Sequence, residues 1–164
     1  MARRVFFSFH YEKDIYRAMV VRKGWVTQGT EKAGFIDKAD FEKLKLKGDK
    51  AVKAWIDKQL IGTSTTVVLI GSETLNREYV RYEIGKSIEK GNAIIGVKIH
   101  NIVNAVTKTK SSPGNLHTAI GRWSDTKKTI YFDEIADGIY DYKRDDGYNN
   151  LGDWIEDALL EKAK

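Results

Sequence analysis

The 164-residue chain has no cysteine and one proline, Pro113. Without thiols it can build no disulfide framework, no thiolate metal site and no cysteine nucleophile, a usage that fits a reducing compartment. Long apolar runs are also missing, since no stretch approaches the roughly 18 residues that span a bilayer. The basic and then apolar start, Met1-Ala2-Arg3-Arg4-Val5-Phe6-Phe7, is broken by Ser8, His10 and the charged Glu12–Asp14 stretch. That is too short for the apolar core of a signal peptide. The expectation is a cytoplasmic protein with no membrane partner. There is no Gly-x-Gly-x-x-Gly, no Walker-type loop, and no metal constellation among His10, His100 and His117. Internal repeats and low-complexity segments are absent.

What is present is ordinary for a globular domain: 41% hydrophobic and 31% charged residues. The length suits one domain over 1–164. The 28 basic and 23 acidic residues give a net charge of +5. Lysines are scattered among acids, and only Lys43, Lys45, Lys47, Lys50 and Lys53 cluster, as a solvated helix face or loop does. No nucleic-acid partner is expected; the excess charge modestly favours an anionic small molecule.

Arg4–Phe9 is a short β-branched and aromatic run that predicts a first strand. Glu12–Trp25 reads as a helix, Ala33–Ile36 as a brief strand, and Asp49–Leu60 as a helix with an apolar stripe. Thr65–Ile70 and Ala93–Ile99 are continuous apolar runs, the mark of parallel strands buried on both faces. Between them Asn76–Lys90 reads as a helix with Val80, Ile84 and Ile88 on one stripe and Gly91 as its stop. This alternation predicts an α/β fold with a central parallel sheet, right-handed crossovers and flanking helices. Residues 101–128 read as a long irregular insertion, Thr129–Phe132 as a short last strand, Asp141–Asn150 as turn-rich, and Leu151–Ala163 as a final helix.

In such a sheet, ligands bind beyond the carboxyl ends of the strands, near a switch point. Polar and aromatic residues concentrate there: Ser8-Phe9-His10-Tyr11, Asp37, Gly71-Ser72-Glu73 and His100-Asn101. Glu83 shares a helix face with Tyr79, four residues earlier, beside the apolar stripe. Spacing alone leaves two readings open. One is a half-exposed glutamate paired with Arg81 or Lys86, and the other is an acid with a chemical task.

Several segments together carry a resemblance. Val5-Phe6-Phe7-Ser8-Phe9-His10-Tyr11 is similar to the first strand and turn of TIR-like domains. Thr66–Ser72, Arg77 and Tyr79-Val80-Arg81-Tyr82-Glu83-Ile84 resemble their strand–loop–helix segment, in which an aromatic, three residues and a glutamate surround the catalytic acid. Lys86–Asn92, Ile94-Ile95-Gly96 and Asp145-Asp146-Gly147-Tyr148-Asn149 before Trp154 resemble the TIR-like family of the bacterial Thoeris anti-phage defence system. The resemblance covers most of the chain and is weakest over 26–60 and 101–140. It implies a flavodoxin-like, three-layer fold, NAD as substrate rather than bound cofactor, and Glu83 as catalytic residue. It further implies release of nicotinamide, a cyclic ADP-ribose isomer as diffusible messenger to a separate effector, and self-association. One departure stands out. Ile36-Asp37-Lys38-Ala39-Asp40 occupies the place of the proline- and glycine-containing loop of many TIR domains.

For NAD a single carboxylate suffices. The leaving group is already cationic and departs as neutral nicotinamide, so the acid partner of ordinary glycoside hydrolysis is unnecessary. A carboxylate beside the ribose stabilises the oxocarbenium-like cation, more strongly where water is excluded. Phe9, Tyr11 and Tyr79 are candidates to stack on adenine or nicotinamide, or else are core or lid aromatics. His10 either binds a phosphate or ribose or is a structural turn residue. Ser72 either contacts ribose or caps its loop, and Asp37 contacts a hydroxyl or ends in a solvated turn. The alternative to an enzyme is a TIR-like interaction or scaffolding module.

Overall fold

The computed structural model describes residues 4–27, 32–33 and 38–164. Five parallel strands form the central sheet in the order β2-β1-β3-β4-β7: β1 Val5–Phe9, β2 Lys32–Ala33, β3 Thr65–Ile70, β4 Ala93–Lys98 and β7 Gly138–Asp141. Helices α1 Tyr11–Thr27, α2 Lys38–Leu46, α3 Asp49–Leu60, α4 Glu78–Lys90 and α6 Gly147–Lys162 flank it. A separate antiparallel pair, β5 Ala119–Arg122 and β6 Thr129–Tyr131, leads into the single turn α5 Phe132–Ile135. This is the α/β, flavodoxin-like order, with its switch point between β1 and β3.

The period of two along each strand sorts the core into layers. Val5, Phe7, Phe9, Val67, Leu69, Ile95 and Val97 meet α1 and α6 through Ala18, Val21, Trp25, Leu151 and Ile155. On the opposite face Phe6 meets Val52, Ile56 and Leu60 of α3. Val68, Ile70 and Ile94 meet Val80 and Ile84 of α4. Each fully buried Ile or Phe contributes on the order of 2–3 kcal/mol. Ser8, also fully buried, shares the face of Phe6 and so looks toward α3 and α4.

The strongly patterned elements lie where the sequence puts them. Gly91 stops α4 with φ of 85°, a left-handed conformation that glycine adopts without Cβ strain, and its N–H bonds back to the Ser87 and Ile88 carbonyls. Three differences occur. Residues 129–131 form a strand, but in the outlying hairpin. The last strand of the sheet is instead β7, which has no apolar run of its own. Within 101–128, Ala119–Arg122 forms a strand. Helix α2 occupies 38–46, where only a lysine cluster was read. Of the second strand expected over 33–36, residues 34–36 lie outside the described residues.

Candidate active site

The crevice at the switch point is filled on its α1 side. Asp14, 2% exposed, places its carboxylate where a side chain on Gly71 would start, 2.3 Å from an ideal Cβ, so position 71 must be glycine. The Gly71 N–H donates to Thr74 Oγ1 at 2.7 Å, and that hydroxyl donates to Asp14 Oδ2 at 3.3 Å. Burial raises the Asp14 pKa, opposed mainly by Arg17, 3.6 Å away. Arg17 donates onward to the Ile102 and Thr109 carbonyls, both at 2.9 Å, and fastens the 101–118 segment to α1.

The open chemistry lies on the other face. Val80, Glu83, Ile84 and Ser87 occupy positions i, i+3, i+4 and i+7 of α4, its buried stripe. Glu83 therefore stands where a core aliphatic would stand, and it is 8% exposed. Among the described residues it has no ion pair. Its partner is Ser8 on β1, whose hydroxyl donates to Oε1 at 2.7 Å. Neither Arg81 nor Lys86 covers it: Arg81 donates to the Asn76 carbonyl and Lys86 faces Glu89. Burial pushes the Glu83 carboxyl up to about 8, with the Ser8 hydrogen bond and the Arg77 charge pulling it down.

Glu83 lines a small cavity of about 30 Å³ whose aromatic wall is Phe9, Tyr11, Phe41, Trp55 and Tyr79, with Arg77 at its edge. That volume admits a water, not a dinucleotide. It is small because Phe41 of α2 stacks on Tyr11, with ring centroids 4.1 Å apart, and Tyr11 in turn stacks on Phe9 at 5.8 Å. Glu12 gathers two cations beside it on one oxygen, Arg77 at 2.8 Å and Lys45 at 3.1 Å. The Tyr79 hydroxyl donates to Asp49 at 2.9 Å, tying the start of α3 to α4.

Of the residues read from sequence, Phe9, Tyr11, Tyr79 and Glu83 thus converge on one cavity. His10 does not line it. Its Nδ1 accepts the Lys13 N–H at 3.2 Å at the start of α1, and burial and Arg77 lower its pKa. Ser72 is half-buried in the turn after β3, off the cavity wall. Asp37 lies outside the described residues. Phe41 and Trp55 were missed as site residues, and Ser8 was placed at the ligand-binding end of its strand but given no role. Ser8 reads as part of a strand and Trp55 as part of the α3 stripe, while Phe41 and Leu44, spaced i, i+3, are the faint signal of α2. Among the described residues no cluster of three or more His, Asp or Glu could hold a metal ion, and no helix is long and apolar enough to cross a membrane.

The model of the Thoeris protein ThsB, TIR-like domain, matches residues 6–104, which span β1 to β4 and include Ser8 and Glu83. A Bacillus cereus (strain MSX-D12) protein named "Putative cyclic ADP-D-ribose synthase ThsB1" is 37% identical over 191 aligned positions, covering 94% of this chain and all of that protein. The chain belongs to the Thoeris ThsB TIR-like family. Within that family fold, Glu83 sits on the helix after the third strand, bonded to β1 beside an aromatic cavity. The matched segment also contains α2 and α3, which close that pocket.

Proposed function

We propose that the protein cleaves the nicotinamide–ribose bond of NAD, with Glu83 as the catalytic residue, and closes the ADP-ribose into a cyclic isomer. The observation that carries this reading is one carboxylate buried on an aromatic cavity with a hydroxyl, not a counter-ion, as its partner. Such a group is held ready for a cationic ligand. Nicotinamide riboside brings a positive charge, which lowers the carboxyl pKa and favours the ionised form. The ionised group then opposes the oxocarbenium charge that develops on the ribose in a site from which water is excluded. Phe9, Tyr11 and Tyr79 supply faces for stacking, and a dry wall favours capture of the cation by the ADP moiety over water. The name of the Bacillus relative supports the same chemistry. The product acts as a diffusible messenger in the cytoplasm, where it switches on a Thoeris effector, with self-association as the accompanying assembly.

The closed cavity is the observation on the side of a second reading, a non-catalytic interaction module. The test is chromatography with mass spectrometry on NAD incubated with wild-type and Glu83→Gln protein, concentrated and in lysate of phage-infected cells. Nicotinamide plus a cyclic ADP-ribose species, from wild type alone, is the expected result. Intact NAD under every condition, with the protein folded, selects the interaction module.

A further inference from the structure

A serine in the middle of a fully buried parallel strand costs stability unless its hydroxyl has a partner. The other side chains of β1 are Val5, Phe6, Phe7 and Phe9, all apolar. Ser8 is 0% exposed, so water does not satisfy it; Glu83 does. Glu83 is gripped a second time through its main chain, whose carbonyl accepts the Ser87 hydroxyl at 2.7 Å. Ser87 in turn bonds Thr66 on β3, beside β1. Two hydroxyls rising from adjacent central strands therefore fix the glutamate, one acting on its carboxylate and one, through Ser87, on its backbone. Among the described residues no further hydrogen bond reaches the carboxylate, which leaves Oε2 without a partner.

We propose that Ser8 is a positioning residue for Glu83: its hydroxyl ties down Oε1, sets the plane of the carboxyl group and leaves Oε2 to face the reacting ribose. The inference rests on the NAD-cleaving reading of this site. The same bond favours the charged carboxylate over the neutral acid. The other groups around Glu83 are few. Arg77 supplies the nearest positive charge and is itself held by Glu12, and Tyr11 and Tyr79 stand on the wall. Beside the site α2 and α3 present Phe41 and Trp55, which do not titrate. With the Ser8 hydroxyl removed, Arg77 alone opposes the effect of burial.

The experiment compares wild type with Ser8→Ala, Ser8→Thr and Ser8→Cys. In the alanine variant kcat at pH 7 falls about tenfold with little change in KM. The acid limb of its kcat/KM profile moves to higher pH. Threonine restores most of both; cysteine, a weaker donor of similar size, lies between and carries the test if the alanine variant does not fold. Independently of activity, ¹³C-labelled glutamate is titrated by NMR, with the Glu83 signal assigned from Glu83→Gln. The midpoint rises in Ser8→Ala and returns with Ser8→Thr. An unchanged midpoint and pH profile in a folded Ser8→Ala protein overturns the proposal while leaving NAD cleavage intact. If wild type leaves NAD untouched, the reaction reading fails, and the titration still decides the place of Ser8.

Discussion

At the scale of the residue, Glu83 is a carboxylate in an aliphatic position, and its two protonation states pull stability and activity apart. Its native pKa of about 8 lies above its ordinary value of 4.5. Between these values the native protein keeps a proton that the unfolded chain has released, so stability falls as pH rises through that window and the full penalty applies above it. Glu83→Gln, which still accepts from Ser8, is therefore expected to raise stability at pH 9 by on the order of 2–4 kcal/mol, and by almost nothing at pH 4. Thermal melts of the two proteins at both pH values check this; an equal difference at each would show that the carboxyl is not held neutral. Activity runs the other way. On the proposed reading the ionised form is the working one, so kcat/KM for NAD is expected to rise from pH 6 toward 9, with its midpoint near the free-enzyme value of about 8. A flat profile over that range would break the link between Glu83 ionisation and turnover.

At the scale of the element, α2 closes the site. It reaches the body through Phe41 on Tyr11, Lys45 on Glu12 and Leu44 packed against the α3 cluster. The exposed Lys45–Glu12 pair adds at most about 1 kcal/mol, so the stacked ring is the main fastening. On the NAD-cleaving reading, a dinucleotide enters the cavity only when that ring leaves Tyr11. Phe41→Ala is expected to increase nicotinamide release by the purified protein several-fold without any trigger, measured against Glu83→Gln as the blank. A drop in turnover would instead make Phe41 part of the substrate wall. Helix α4 behaves oppositely. Its stripe, its Gly91 stop and its hydroxyl bonds to the sheet hold the glutamate still.

At the scale of the whole molecule, the segment from 101 to 118 has no helix or strand and depends on a fastening placed far away in the chain. Arg17, 5% exposed, bonds the Ile102 and Thr109 carbonyls and balances Asp14 beneath the turn after β3. Gly114 completes the closure by packing against the Gly71 carbonyl, 2.4 Å from where its Cβ would stand. Removing the guanidinium leaves a buried carboxylate without its opposing charge. Arg17→Met is expected to cost about 3–5 kcal/mol and to expose 101–118 to proteolysis before the rest of the chain. Denaturant titration and mass mapping of the first cleavage sites test both parts. Cleavage that begins elsewhere would show that the segment is held by other contacts.

The sequence by itself determined the central architecture and the position of the acid. The apolar runs at 65–70 and 93–98 and the helical stripe between them are local signals strong enough to specify β3, α4 and β4. The spacing of Tyr79 and Glu83, with the family likeness, marked the acid without any view of its surroundings. Other features lacked such signals. Strand β7 is half-buried and short, and becomes a strand only because the edge of β4 offers it hydrogen bonds. Helix α2 anchors itself through two apolar side chains, Phe41 and Leu44, among lysines and an exposed Leu46, so its place comes from docking rather than from periodicity. The Ser8–Glu83 bond joins residues 75 positions apart, and no window along the chain contains both. Only the tertiary structure decided that these two side chains share one dry face, because strand register and helix packing, not composition, set which polar atoms meet.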